Sequence, residues 1–123
     1  MDIFGHINNV MFVKYVQASR VNYWAQVGLM NDFETLGLGP MLASVACNFY
    51  KPLFFPGDIT ICARMAFIKN SSFGFQHIIL NTAGEIAAEA HDVMVMFDFK
   101  KNHKIQFPQE VRFRVKELEG REV

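Results

Sequence analysis

A carboxylate, a glycine, a histidine and two asparagines fall within eight residues: Asp2-Ile3-Phe4-Gly5-His6-Ile7-Asn8-Asn9. A long, mostly apolar stretch, residues 10–27, follows at once. Polar groups clustered at the mouth of an apolar helix can hold and polarise a carbonyl. Backbone N–H groups in a first helical turn lack internal acceptors, and the helix dipole favours negative charge there. Other chemistries lack their residues. The chain has no Gly-x-Ser-x-Gly elbow, phosphate-cradling glycine loop or dinucleotide fingerprint, so no cofactor is implied. His6, His77, His91 and His103 stand far apart without ligand-like spacing, which argues against zinc. His77 and His91 fall in strand-like runs and read as structural or surface residues.

The elements that must position this cluster follow from the patterning. Asn9 is well placed as an N-cap, a helix is expected over residues 10–27, and Gly28 should end it. Lys14, Gln17, Ser19, Arg20, Asn22 and Gln26 do not gather on one face, so the helix is expected to be covered on more than one side. Residues 31–40 read as a loop with room for one helical turn. Four strands follow. In residues 41–51, Met41, Ala43, Val45, Cys47 and Phe49 should share a face. Pro52 and Pro56-Gly57-Asp58 mark a bend and a turn. In residues 59–68, Ile59, Ile61, Ala63, Met65 and Phe67 should face one way. Residues 73–81 form the third strand. Residues 85–99 form a fourth, long enough to need a bulge, with residues 93–97 apolar enough for burial on both faces. Pro108 suits the start of a final helix over residues 108–119. One helix against one antiparallel sheet is an α+β layer architecture, expected as a single domain over residues 1–123.

Bulk properties narrow the partners. The formal net charge is zero, which argues against nucleic acid. No apolar run is long enough to span a bilayer, and no signal peptide is evident. Cys47 and Cys62 are expected as buried free thiols, in keeping with a reducing cytoplasm. Thirteen phenylalanines and seven methionines exceed what one small core hides, so an oligomer interface is expected.

Asp2-x-x-Gly5-His6-x-Asn8-Asn9, with Tyr15 and Arg20 further along the helix, resembles the signature of hotdog-fold acyl-CoA thioesterases, most closely the 4-hydroxybenzoyl-CoA thioesterase-like branch. Phe49-Tyr50-Lys51-Pro52-Leu53, Pro56-Gly57-Asp58, Lys69-Asn70-Ser71-Ser72-Phe73 and Phe107-Pro108 resemble its downstream pieces. The resemblance implies a long central helix wrapped by a curved antiparallel sheet. It implies a homodimer or homotetramer with sites at the subunit interface, and acyl-CoA as substrate.

It also implies roles. The Asn9 backbone amide would polarise the thioester carbonyl. Asp2 would act as general base or nucleophile. Gly5 would admit the ligand close to the backbone, while His6 and Asn8 hold the loop or orient thioester or water. Phe12, where relatives often carry tyrosine, and Tyr15 would line the pocket. Lys69, Ser71 and Ser72 would meet the CoA, with Lys51, Arg64, Lys100 and Lys101 as further candidates for its phosphates. The family's usual strand ahead of the aspartate is largely missing, so an uncovered sheet edge and a weakly anchored Asp2 are expected. A non-catalytic acyl-thioester binder or assembly subunit of the same fold is the competing reading. A hotdog dehydratase or hydratase ranks below it, for want of a His-plus-carboxylate motif near the helix.

Overall fold

The computed structural model describes residues 9–51, 53 and 58–123, with side chains from Met11 onward. The Pro52 bend and the Pro56-Gly57 turn lie outside the described residues.

The first helix, α1 (Asn9–Val27), buries Phe12, Val16, Arg20, Tyr23 and Val27. Steps of four, four, three and four keep these on one stripe. Gly28 ends the helix with φ 75°, and the Leu29 N–H returns to the Trp24 carbonyl. The sheet covers this stripe and the last helix packs against the end that holds Tyr23 and Val27, while Val13 and Val21 are half exposed. A charged residue sits inside the stripe and valines sit outside it, which blurs the pattern in the sequence.

A short helix, α2 (Phe33–Leu36), fills the expected loop, and β1 (Leu38–Phe49) starts three residues earlier than anticipated. Then come β2 (Thr60–Ile68), β3 (Ser72–Leu80), β4 (Ile86–Asp98), the two-residue β5 (His103–Lys104) and α3 (Gln109–Glu119). All pairings are antiparallel, in the order β1-β4-β3-β2, with β5 also on β4. The first strand is therefore separated from its successor in the chain by both β4 and β3.

Three alanines each add one residue to a strand and change which side chains face the helix. The register passes from Leu42↔Met94 to Ser44↔Val93, leaving Ala43 extra. It passes from Met65↔Phe75 to Phe67↔Gly74, leaving Ala66 extra. It passes from Ile79↔Ala88 to Leu80↔Ile86, leaving Ala87 extra as the anticipated bulge of the long strand. Cross-strand partners share a face. Met41, opposite Val95, is therefore on the outer face, whereas Val45 and Cys47, opposite Asp92 and Ala90, are on the inner one. The single face expected for β1 is broken at the bulge. Phe67 is likewise turned outward, over Gly74, away from Met65. Of residues 93–97 only Met94 and Met96 are fully buried, so the outer face is only partly covered. Cys62 is exposed, contrary to expectation, because it too points outward; Cys47 is half-buried, and both thiols are free.

The core forms two apolar clusters along α1. Phe12 and Val16 pack with Leu53, Ile79, Ala87, Ala88 and Ala90. Small alanines on the sheet let the first half of the helix approach closely. Tyr23, Val27 and Leu29 pack with Phe73, Phe75, Met94, Met96 and Phe107 and with Val111 and Val115 of α3.

Gly74 is fixed by space. A Cβ there would lie 2.3 Å from a Phe67 ring carbon and 2.8 Å from the Asp92 carbonyl oxygen. Gly74→Ala should cost about 1–3 kcal/mol through overpacking, read from urea denaturation. Adding Phe67→Leu should restore only part, because the Asp92 backbone does not move aside.

Candidate functional site

The start of α1 lies at one end of the sheet. No acidic residue occupies its first turn, so the positive end of the helix dipole is not neutralised from within the helix. Asn9 is its first residue. Phe12, 3% exposed, meets Phe49 of β1 edge to face, with centroids 4.9 Å apart. Tyr15 is partly buried against the same cluster. Asp2, Gly5, His6 and Asn8 lie outside the described residues.

Lys69, Ser71 and Ser72 stand together at the turn between β2 and β3. The Lys69 N–H donates to the Ser72 carbonyl, closing the β2–β3 turn, and the Met96 N–H donates to the Ser71 carbonyl. Lys69 Nζ lies 5.4 Å from the Phe67 ring centroid. Ile79, which packs beside Phe12, is seven residues from Ser72 on β3. At about 3.4 Å per residue this is roughly 24 Å, so one chain does not bring Lys69, Ser71 and Ser72 to the start of α1. Of the other cations, Lys51 is paired with Glu85, Arg64 donates to Gln76, and Lys100 donates to the Thr35 carbonyl.

Between the two apolar clusters lies a buried polar chain. Arg20 Nε donates to Asp92 Oδ2 at 2.9 Å, and His77 Nε2 lies 2.6 Å from the same oxygen. Ser19 Oγ lies 3.0 Å from His77 Nδ1. Asp92 and His77 are 1% and 0% exposed, and Arg20 8%. Burial pushes the Asp92 carboxyl upward. Hydrogen bonds and charge from His77 and Arg20 outweigh it and hold the carboxyl below its ordinary range. The sequence marks Arg20 only as part of the signature, leaves His77 as structural or surface, and does not single out Asp92. A signal was present: a charged residue at helical spacing between Val16 and Tyr23, opposite inward positions of two strands.

Residues 1–115 match the thioesterase-like superfamily. The chain belongs to that superfamily. It is similar to the long-chain acyl-CoA thioesterase FadM of Escherichia coli (strain K12), 18% identical over 122 residues, which cover 96% of this chain and 90% of FadM. It is also similar to the uncharacterized protein YsmA of Bacillus subtilis (strain 168), 23% identical over 109 residues, 89% of this chain and 73% of YsmA. Among solved structures, a thioesterase from Thermus thermophilus complexed with coenzyme A and Zn superposes with a TM-score of 0.86. It is 24% identical, and the match covers all of this chain and 88% of that one. The α+β architecture of this thioesterase-like chain is thus the hotdog fold, and thioester hydrolysis is the activity its family assigns. No helix among the described residues is long and apolar enough to cross a membrane.

In this thioesterase-like protein the polar chain ties α1 to β3 and β4. Asp92→Asn should cost about 3–5 kcal/mol at pH 7, because it leaves Arg20 buried without its counter-charge. A carboxyl held low contributes stability in full above its unfolded value of about 3.9 and loses it as pH falls through the folded value. The gap between wild type and Asp92→Asn should therefore narrow below about pH 4, as followed by urea denaturation at stepped pH.

Proposed function

We propose that the protein hydrolyses acyl-CoA thioesters to the free acid and CoA in the cytoplasm, with Asp2 as general base or nucleophile. The Asn9 backbone amide and its neighbours in the first turn of α1 polarise the carbonyl. His6 and Asn8 orient the loop or the attacking water, and Gly5 admits the ligand to the backbone. The observation that carries this reading is the superfamily match over residues 1–115, which includes the whole motif and the helix behind it. A first turn with no acidic residue, beside the Phe12–Phe49 contact, supports it: the positive end of the helix dipole stands next to an apolar wall for the acyl chain. FadM is a long-chain acyl-CoA thioesterase, and the Thermus thermophilus protein holds coenzyme A, which supports CoA as the carrier here. Two free thiols accord with a reducing compartment.

A second copy of the chain belongs to this function. The separation of the Lys69–Ser72 turn from the start of α1 supports a site completed across an interface. The edge strand β1 supports it independently, since Met41, Leu42, Val45 and Phe49 are each more than a third exposed. An apolar sheet edge of this kind invites pairing with another chain, and a two-fold arrangement presents the same edge twice. In the partner, Lys69, Ser71 and Ser72 would then supply the CoA contacts.

Release of free thiol from a panel of acyl-CoAs tests the chemistry. Asp2→Asn should lower the rate about a hundredfold to ten-thousandfold. Equal rates for both chains would remove Asp2 from the mechanism, and no release from any substrate would favour a non-catalytic binder. Leu42→Lys with Val45→Glu should shift the protein to a monomer in sedimentation velocity and abolish thiol release. An active monomer would refute the shared site.

A further inference from the structure

The Ser19–His77–Asp92 chain ends at a cavity that the acyl-CoA reading does not use. Ser19 lines a hollow of about 610 Å³ between α1, β2 and α3, with Asn22, Gln26, Ile61, Ala63 and Leu118 among its walls. That volume is in the range of small-molecule sites. Asp92 is held ionised by Arg20 and His77, so its oxygens can only accept. His77 Nε2 must then carry a proton toward Asp92, and in the neutral imidazole Nδ1 is the acceptor. With the imidazole neutral the Ser19 hydroxyl donates to His77 Nδ1; with it protonated Nδ1 donates to Ser19 Oγ, so the neutral form is the one that can take the serine proton. A hydroxyl donating to an imidazole that a buried carboxylate orients is the arrangement that activates a serine. The two ring nitrogens are exchanged relative to the usual serine-hydrolase order, but either can take the proton.

We propose that Ser19 is a second nucleophile, with His77 as its base and Asp92 orienting that base, in a site for small apolar esters or thioesters. Ser19 Oγ bonds to the acyl carbon as its proton passes to His77 Nδ1. The carbon–oxygen or carbon–sulfur bond breaks, and the leaving alcohol or thiol takes that proton. Water, deprotonated by His77, then cleaves the acyl-serine and returns the hydroxyl. Asn22 follows Ser19 by three residues on the same helix, so its amide and that of Gln26 bring N–H donors to the same wall, where an oxyanion would form. Ile61, Ala63 and Leu118 supply the apolar remainder, which suits a short acyl group.

An alkyl fluorophosphonate reads this site directly. Its phosphorus bonds to Oγ, fluoride leaves and His77 accepts the proton. The full-length chain should gain one phosphonyl group per protomer, mapped by peptide mass spectrometry to Ser19. Exposed Ser44 is the internal control and should stay unmodified. Ser19→Ala should abolish the adduct. His77→Gln, wherever its circular dichroism matches wild type, should slow labelling at least about tenfold. A folded wild-type chain that takes no label, takes it on another residue, or labels at Ser19 just as fast in folded His77→Gln would overturn the proposal. The readout is a mass on Ser19, so it is independent of whether Asp2→Asn affects acyl-CoA hydrolysis.

Discussion

A single buried carboxylate fixes how the helix meets the sheet. Taking Asp92 out of water costs several kcal/mol unless it is paired, and Arg20 from the helix and His77 from the neighbouring strand both reach its Oδ2. The apolar clusters on either side are adaptable in detail. The polar chain between them is not, because a shift of α1 along its axis or a rotation about it would strand a charge in the core. By fixing α1, the interaction also fixes the position of its first turn.

The strands are shaped to accept that helix. Extra residues at Ala43, Ala66 and Ala87 turn side chains from one face to the other where the sheet must bend. The two edges of the sheet are treated differently. On β2, the Met65 N–H donates to Glu119 at the end of α3, and the Met65 carbonyl accepts from Arg121. Tyr23 of α1 donates to the same Glu119 carboxylate, and burial together with that carboxylate pushes its phenol well above the ordinary range. On β1, apolar side chains stay exposed along the edge. Among the described residues one edge is thus partly closed from within the chain, while the other keeps apolar side chains exposed.

By itself the sequence determined the element types, most of their limits, and the family. Gly28 ends α1, the four strand runs fall close to the observed limits, and Pro108 stands directly ahead of the last helix. These features were legible because they are local: a cap, a turn residue or an alternation depends on neighbours in the chain. The motif carried the family for the same reason, since its residues lie within one short stretch.

Only the tertiary structure decided the strand order, the faces of Met41 and Phe67, the buried stripe of α1, and the meeting of Ser19, Arg20, His77 and Asp92. Each depends on pairings between residues far apart in the chain. A one-residue bulge reverses every side chain beyond it without altering the alternation that sequence reading relies on. Arg20 inside and Val13 and Val21 outside contradict the usual preference of polarity for the surface. That inversion makes sense only once Asp92 stands opposite the helix, with a charge that a buried guanidinium must meet.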